Sequence, residues 1–569
     1  MATSRSSAAK QRPVAAPDSP ALFDQFARGW RAYALVALIA LASALFGAGA
    51  MPPLDADEAQ FALSTRQMVE SGVHPSDALA VHVAQAATLG LLHARLDDIA
   101  PYRLPSALGA ALAAIACLWA GQALIGQRSA LIGAGLFAAG LFAGFEGMCA
   151  TPVALLLGFT TLAFAALAHL ASAEPQRTRL VGAIFWAAIA CAFSIDALAA
   201  PITVVLALGC LVIWERRAGW LRPLLWWPAL LVAVLIVAAN LTLGGHVASS
   251  IHILNRHLQL PGYHMLLLPL LLFPATYALP AAVRLVIEAV RTPATQPAPF
   301  RFLIAWAGAV FFFAEFWPTK LPTYALPAYP AIALMCGAGM AAMLGRRWRS
   351  AHPAGLVLFG VAGLVLVVLI GATATFMPGD FGTDIRRAIS AGLIGALIVA
   401  GALAGLLFWR RATTRAAVLI AAALALSYSL REHILPDARE FNVSGETVAE
   451  LRRARLTPRE GRALWVVGYP QASIVLLTRS STRLARADEA GARARLGDSL
   501  VVEIRQLDAL QTALAARHLT FASTDVPVRG VALHNGRRVA LSVGSVSALA
   551  DAQPQNPARQ PTRPTRAPR

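Results

Sequence analysis

Three carboxylates stand in the stretch "MPPLDADEAQFALSTRQMVESG" (Met51–Gly72), directly behind the first long apolar run of the chain: Asp55, Asp57 and Glu58. Acids at such a place can do two kinds of work. In the first turn of a helix a carboxylate accepts hydrogen bonds from free backbone N–H groups and complements the helix dipole. Facing a reacting group, it can take up a proton or stabilise developing positive charge. Asp57, with Gln60 three residues later, fits a capping box for a helix reaching about Ser71, with Arg66 and Glu70 paired at i,i+4. Phe61 and Met68 can share a face of that helix. Capping accounts for Asp57 and makes Glu58 favourable at a helix start, but it leaves Asp55 without a task. Spacing alone keeps both helix start and catalysis open.

The elements that must position these acids are helices in a membrane. Of 569 residues, 57% are hydrophobic and only 14% charged, far from a soluble balance. About 13 apolar runs near 20 residues long, the first at 32–51 and the last at 414–430, can each cross a bilayer as a helix. The net charge of +18 would point to nucleic acid in a soluble protein. Here the arginines sit in short loops such as "SAEPQRTR", "ERRAGWLRP" and "RRATTR", which the positive-inside rule assigns to the cytoplasm, so no nucleic-acid partner is expected. That rule puts the N-terminal tail (1–31) inside, the acidic loop 52–103 outside, and, for an odd number of spans, the C-terminal part outside too. The first apolar run is longer than a signal-peptide core and reads as a retained anchor. All five cysteines fall in or beside apolar runs, so no disulfide is expected.

From about 431 the material changes. "ALWVVGY", "SIVLLT" and "SLVVEI" read as short buried strands, "QLDALQTALAARHL" as an amphipathic helix, and "VRGVALHNGRRVALSV" as a hairpin turning at Asn535-Gly536. The expected fold class is mainly α: a polytopic helical domain over 32–430 with a small α/β domain over 431–549. The tail 550–569 has nothing apolar to bury and reads as disordered.

Several stretches carry a family resemblance. "PPLDADEAQFALSTRQMVESG" followed by "YRLPSALGAALAAI", then "LPGYHMLLLPLLLFPA", "WPTKLPTYALPAYPAIAL" and "VRGVALHNGRRVALSV" resemble, in the same order, the bacterial aminoarabinose transferase-like glycosyltransferases of the GT-C type. These are related to the protein O-mannosyltransferases. The resemblance runs from about residue 30 to 545, and "PTKLPTYALP" is its most specific piece. It implies a multi-pass enzyme of the bacterial inner membrane with its C-terminal domain in the periplasm. The implied donor is a sugar on a polyprenyl phosphate, and the implied acceptor a lipid A-like or protein group at the outer face. It implies that Asp57, with Glu58 beside it, is the catalytic carboxylate. Lys320 and Tyr324, with Arg66, Arg103, Arg256 and His257, are the implied phosphate-binding set. For Lys320, snorkelling to the membrane surface is the plainer alternative.

The chain also departs from that family's pattern. "HPSDALAVHVAQAA" reads as a shortened loop lacking the family's lysine-proline pair. Pro152 follows Thr151 where the family has an acid, Asp196 stands where a lysine is expected, and Leu258 replaces another lysine. Asp55 or Asp196 could supply the second acid. Seven histidines lie in or beside two outer loops (His74, His82, His93, His246, His252, His257 and His264), and their spacing matches no metal motif. No metal site and no cofactor is assigned, and a divalent ion has no support. Two readings stay open: a transferase, and a non-catalytic relative that keeps the fold as a lipid-binding or assembly subunit. A transporter would place its charges at mid-membrane and often shows repeated halves, and neither feature is present.

Overall fold

The computed structural model of the chain describes residues 29–549, apart from 55–56, 76, 173–176, 243–260, 292–298, 318–319, 344–350, 376–384, 435–441, 525–526 and 533–536. The first helices are α1 (Trp30–Leu45), α2 (Asp57–Ser71), α3 (Leu79–Leu92) and α4 (Ala100–Ile125). They are followed by α5 (Gln127–Ala138), α6 (Leu141–Met148), α7 (Val153–Leu170), α8 (Thr178–Ile195) and α9 (Ala199–Glu215). Helices continue to Ser429. Each apolar run read from the sequence lies on a helix or a broken helix.

Among the described residues, eight helices are long and apolar enough to cross a membrane, or up to eleven if three bent pairs each make one crossing; α1 and α9 are shorter. The difference from about thirteen straight spans lies largely in the bends. α5 meets α6 at 55°, and Tyr263–Leu271 meets Ala275–Glu288 at 110°. At the second break Pro269 and Pro274 each remove an N–H donor, which explains the sharper turn.

Close approach of α4 and α7 fixes the ends that matter below. A Cβ on Gly109 would stand 2.6 Å from the carbonyl oxygen of Ala154, and one on Gly158 would stand 2.7 Å from that of Gly109. Only hydrogen at both positions lets the two backbones touch.

The stretch "HPSDALAVHVAQAA" runs into α3, whose buried side chains Leu79, Val81, His82, Gln85 and Leu89 recur at nearly helical spacing.

The C-terminal part forms a six-stranded sheet from β1 (Leu464–Val467), β2 (Arg483–Ala485), β3 (Ser499–Glu503), β4 (Leu519–Ser523), β5 (Val528–Ala532) and β6 (Arg537–Ala548). The order is β2-β1-β3-β6-β4, with β5 also pairing β6. β1 is parallel to β2 and β3, whereas β6 is antiparallel to its three neighbours. The predicted hairpin is therefore β5 with β6, while its turn lies outside the described residues. The helix read in "QLDALQTALAARHL" is Leu507–Ala515.

"SIVLLT" is not a strand but lies in the helix Ala472–Leu477. A short, fully buried apolar run has no periodicity to separate the two. One face of the sheet packs Val466, Val501 and Leu541 in a cluster that also contains Ala59 and Leu63 of α2. The sheet is thus seated on α2.

Candidate active site

The acids of the opening stretch divide their tasks, and not as the capping pattern predicts. Asp57 is the first residue of α2 and is exposed. Glu58 turns inward and is 2% exposed. Its Oε1 accepts from Arg103 Nε at 2.8 Å and from the N–H of Ala150 at 2.9 Å. Its Oε2 accepts from Arg103 Nη2 at 2.9 Å and from the N–H of Leu54 at 2.8 Å. Glu58, not Asp57, therefore holds the entry to the helix. Pro52 and Pro53 lie in the link that leaves α1, where backbone carbonyls lack helical partners. Arg103 meets those of Ala48, Met51 and Pro52.

The same connection between α6 and α7 is gripped from α3. Gln85 Nε2 donates to the carbonyls of Tyr102 and Ala150, both at 3.2 Å. The Thr65 hydroxyl donates to Gln85 Oε1 and lies 2.7 Å from His82 Nδ1, while the Phe61 ring stacks on His82. His82 Nε2 is buried without a hydrogen-bond partner, and burial pushes the ring down to a pKa of about 4.

Arg66 is also committed to architecture. Its Nε pairs with Glu70 at 2.8 Å, and its Nη1 donates to the carbonyl of Leu476 at 2.7 Å, on the helix under the sheet. Ser480 donates to the other oxygen of Glu70. Partial burial would raise the Glu70 pKa, but these hydrogen bonds outweigh it and hold the carboxyl below its ordinary value. Neither Arg66 nor Arg103 presents a free guanidinium to a phosphate. The Arg66–Glu70 pair is the one that the i,i+4 spacing suggests, whereas the carboxylate partner of Arg103, Glu58, lies 45 residues away.

The late loop makes a second arrangement. Glu315, at the end of the helix Pro299–Phe316, accepts from Lys320 Nζ at 2.7 Å and pairs with His264 Nδ1 at 3.0 Å. The backbone N–H groups of Gly262 and His264 also donate to it, each at 3.2 Å. His264 Nε2 lies 3.0 Å from the carbonyl of Leu321. The Pro-Gly-Tyr and "TKLPTY" segments are thereby clasped together through one carboxylate.

Tyr324 lines a cavity enclosing about 690 Å³, counting its open mouth, together with Pro152, Asp196, Thr203 and Phe313. Asp196 accepts at 2.9 Å from the N–H groups of both Leu198 and Ala199, so it also starts α9. Among the described residues no cation lines this cavity, and neither Asp57 nor Lys320 reaches it. Asp55, Arg256, His257 and Leu258 lie outside the described residues.

Sequence reasoning missed Glu315 and Glu146. Glu146 is 7% exposed and stands within electrostatic reach of Asp57 and Glu58. A single acid inside each of the runs "FFFAEFW" and "LFAGFEGM" was the available signal. Among the described residues no group of three His, Cys, Asp or Glu side chains is placed to hold a metal ion.

No protein-family profile matches the chain, and no curated protein matches it by sequence. Solved structures do. ArnT from Cupriavidus metallidurans in the apo state superposes with a TM-score of 0.69 at 17% identity, covering 92% of this chain and 98% of that one. The same protein bound to undecaprenyl phosphate gives 0.69 at 16% identity, over 90% of this chain and 98% of that one. Over nearly its whole length, the chain has the GT-C fold of that transferase.

Proposed function

We propose that the protein is an integral membrane glycosyltransferase that moves a sugar from a polyprenyl phosphate to a lipid A-like or protein acceptor at the outer face of the bacterial inner membrane. Its N-terminus would be cytoplasmic and the domain over 431–549 periplasmic. One observation carries the reading: within an ArnT-like fold, an exposed Asp57 is fixed at a helix start by the buried Glu58 beside it. The relative's complex with undecaprenyl phosphate supports the donor class.

In this reading Asp57 takes the proton of the acceptor hydroxyl or amine as that atom bonds to the anomeric carbon. The bond from that carbon to the phosphate oxygen breaks, and the lipid phosphate leaves with the electron pair. Lys320 and Tyr324 belong on the phosphate side. Glu58 and Arg103 act by positioning, and Arg66 by docking the sheet.

Mass spectra of membrane lipids from cells with the wild type, Asp57→Asn, Lys320→Ala or no gene test this. A sugar mass present only with the wild type supports transfer and names the sugar. A fully active Asp57→Asn removes that residue from the mechanism.

A second reading, a non-catalytic lipid-binding or assembly subunit, has its own support. The cavity gathers Pro152 and Asp196 instead of cations, and Lys320 is neutralised by Glu315. No sugar mass on any lipid or protein, with the chain correctly inserted, would favour it.

A further inference from the structure

Away from the membrane helices, a groove of about 1050 Å³, counting its open mouth, lies where three neighbouring strands of the sheet begin. Ala463 precedes β1, Arg483 opens β2 and Asp498 precedes β3, and all three residues line it. Arg459, Arg462, Arg493 and Arg495 complete a wall of five guanidinium groups. Arg462 is half-buried and the other four are exposed.

The only acid in the lining, Asp498, is turned under the groove. It is 5% exposed and accepts from the N–H of Ala463 at 3.1 Å, from Trp465 Nε1 at 3.1 Å and from the N–H of Arg495 at 2.9 Å. Of the five arginines, Arg493 alone has a carboxylate partner among the described residues, Glu489 at 3.0 Å. Arg483 lies 4.8 Å over the buried Trp465 ring, which orients its guanidinium. A tight reciprocal backbone pair joins Arg459 and Arg462 at 3.2 and 3.0 Å, setting both side chains on the same rim.

Arg462 also donates to the carbonyl of Arg455 at 2.7 Å, but four of these guanidinium groups have no carboxylate partner among the described residues, and their like charges favour an anion between them. Guanidinium forks match the oxygens of phosphate in geometry and charge. We propose that this groove is a binding site for a multiply charged phosphate group, separate from the reaction centre. Ser481 lines the groove, and its neighbour Ser480 is bonded to Glu70 near the far end of α2. Asp57 opens that 15-residue helix, so Glu70, where Ser480 is held, lies about 20 Å along it at 1.5 Å per residue. The site would therefore hold the charged part of a large ligand beside the outer loop.

The full chain in neutral-detergent micelles is titrated at low salt with inorganic pyrophosphate, and separately with micelles carrying phosphatidic acid or phosphatidylcholine. The variants are the triple Arg459→Gln/Arg483→Gln/Arg495→Gln, whose exposed positions leave the melting temperature unchanged, and Lys320→Ala. Saturable binding that weakens at least about tenfold in the triple variant and survives in Lys320→Ala is the expected result. Binding of pyrophosphate alone identifies a soluble phosphate, whereas binding of phosphatidic acid but not phosphatidylcholine identifies a lipid headgroup. Absence of binding to either probe, equal binding by the triple variant, or loss in Lys320→Ala overturns the proposal. Because Lys320→Ala reports on the donor side, failure here and failure of the transferase reading are distinguishable.

Discussion

Glu58–Arg103 and Glu315–Lys320 are the same kind of pair in unequal surroundings. The first is 1% and 2% exposed at its two side chains, and both carboxylate oxygens also accept backbone N–H groups. The second is 13% and 20% exposed and closes a loop at the rim. A buried pair with its remaining lone pairs satisfied cannot exchange partners without leaving a charge in low dielectric. A rim pair can open to water, so an incoming anion can compete for its cation. The difference teaches where adaptability resides: the loop that follows α1 is built to stay, and the late loop is built to be rearranged.

Glu58→Ala puts the most weight on this contrast. Arg103 would keep its charge in a dry site, at a cost of about 3–5 kcal/mol in thermal unfolding of the detergent-solubilised protein. A variant as stable as the wild type would make the two pairs equivalent and remove the contrast. His82 sharpens the same side of it. Burial makes its folded pKa about 4 against 6.5 for a free ring, so the folded state binds the proton more weakly than the unfolded state. That stability is complete above 6.5 and declines as pH falls towards 4, by up to roughly 3 kcal/mol. Melting temperatures across that window should fall for the wild type and flatten for His82→Asn. Arg66→Ala loses a charged hydrogen bond of about 1.5–3 kcal/mol between loop helix and sheet. Faster hydrogen exchange over 472–477, with the spans unaffected, is the expected sign. Glu315→Gln should change stability least, by about 0–1 kcal/mol. On the proposed function, it should still tighten binding of a polyprenyl phosphate by removing the carboxylate charge that competes for Lys320. Unchanged affinity would mean that the late loop is as fixed as the first.

The helices of the membrane part were legible because apolar length is a local property. So was the end of α2 at Ser71, which the capping pattern and pairing placed correctly. The task of each charge was not legible. Local spacing gave the helix start to Asp57, but Arg103, 45 residues from Glu58, selects the neighbouring acid. The partner of Arg66 at Leu476 and that of Lys320 at Glu315 left no pattern that separates a clasped cation from a free one. The helix inside "QASIVLLT" escaped for a related reason: every position is wanted inside, by the sheet or by α2, so no alternation marks its type.

The bond from Arg66 to Leu476 spans 410 residues of chain. At about 5–20 residues per second, the ribosome needs roughly 20–80 s to make the second partner after the first. Throughout that interval Ala59 and Leu63, which pack into the cluster of the C-terminal part once the fold is complete, lack that covering surface. The loop that carries α2 therefore reaches its final form only when the last third of the chain has been made. Shortened products that stop before the sheet would carry a sticky helix, and the cell's quality control would meet them as unfinished protein.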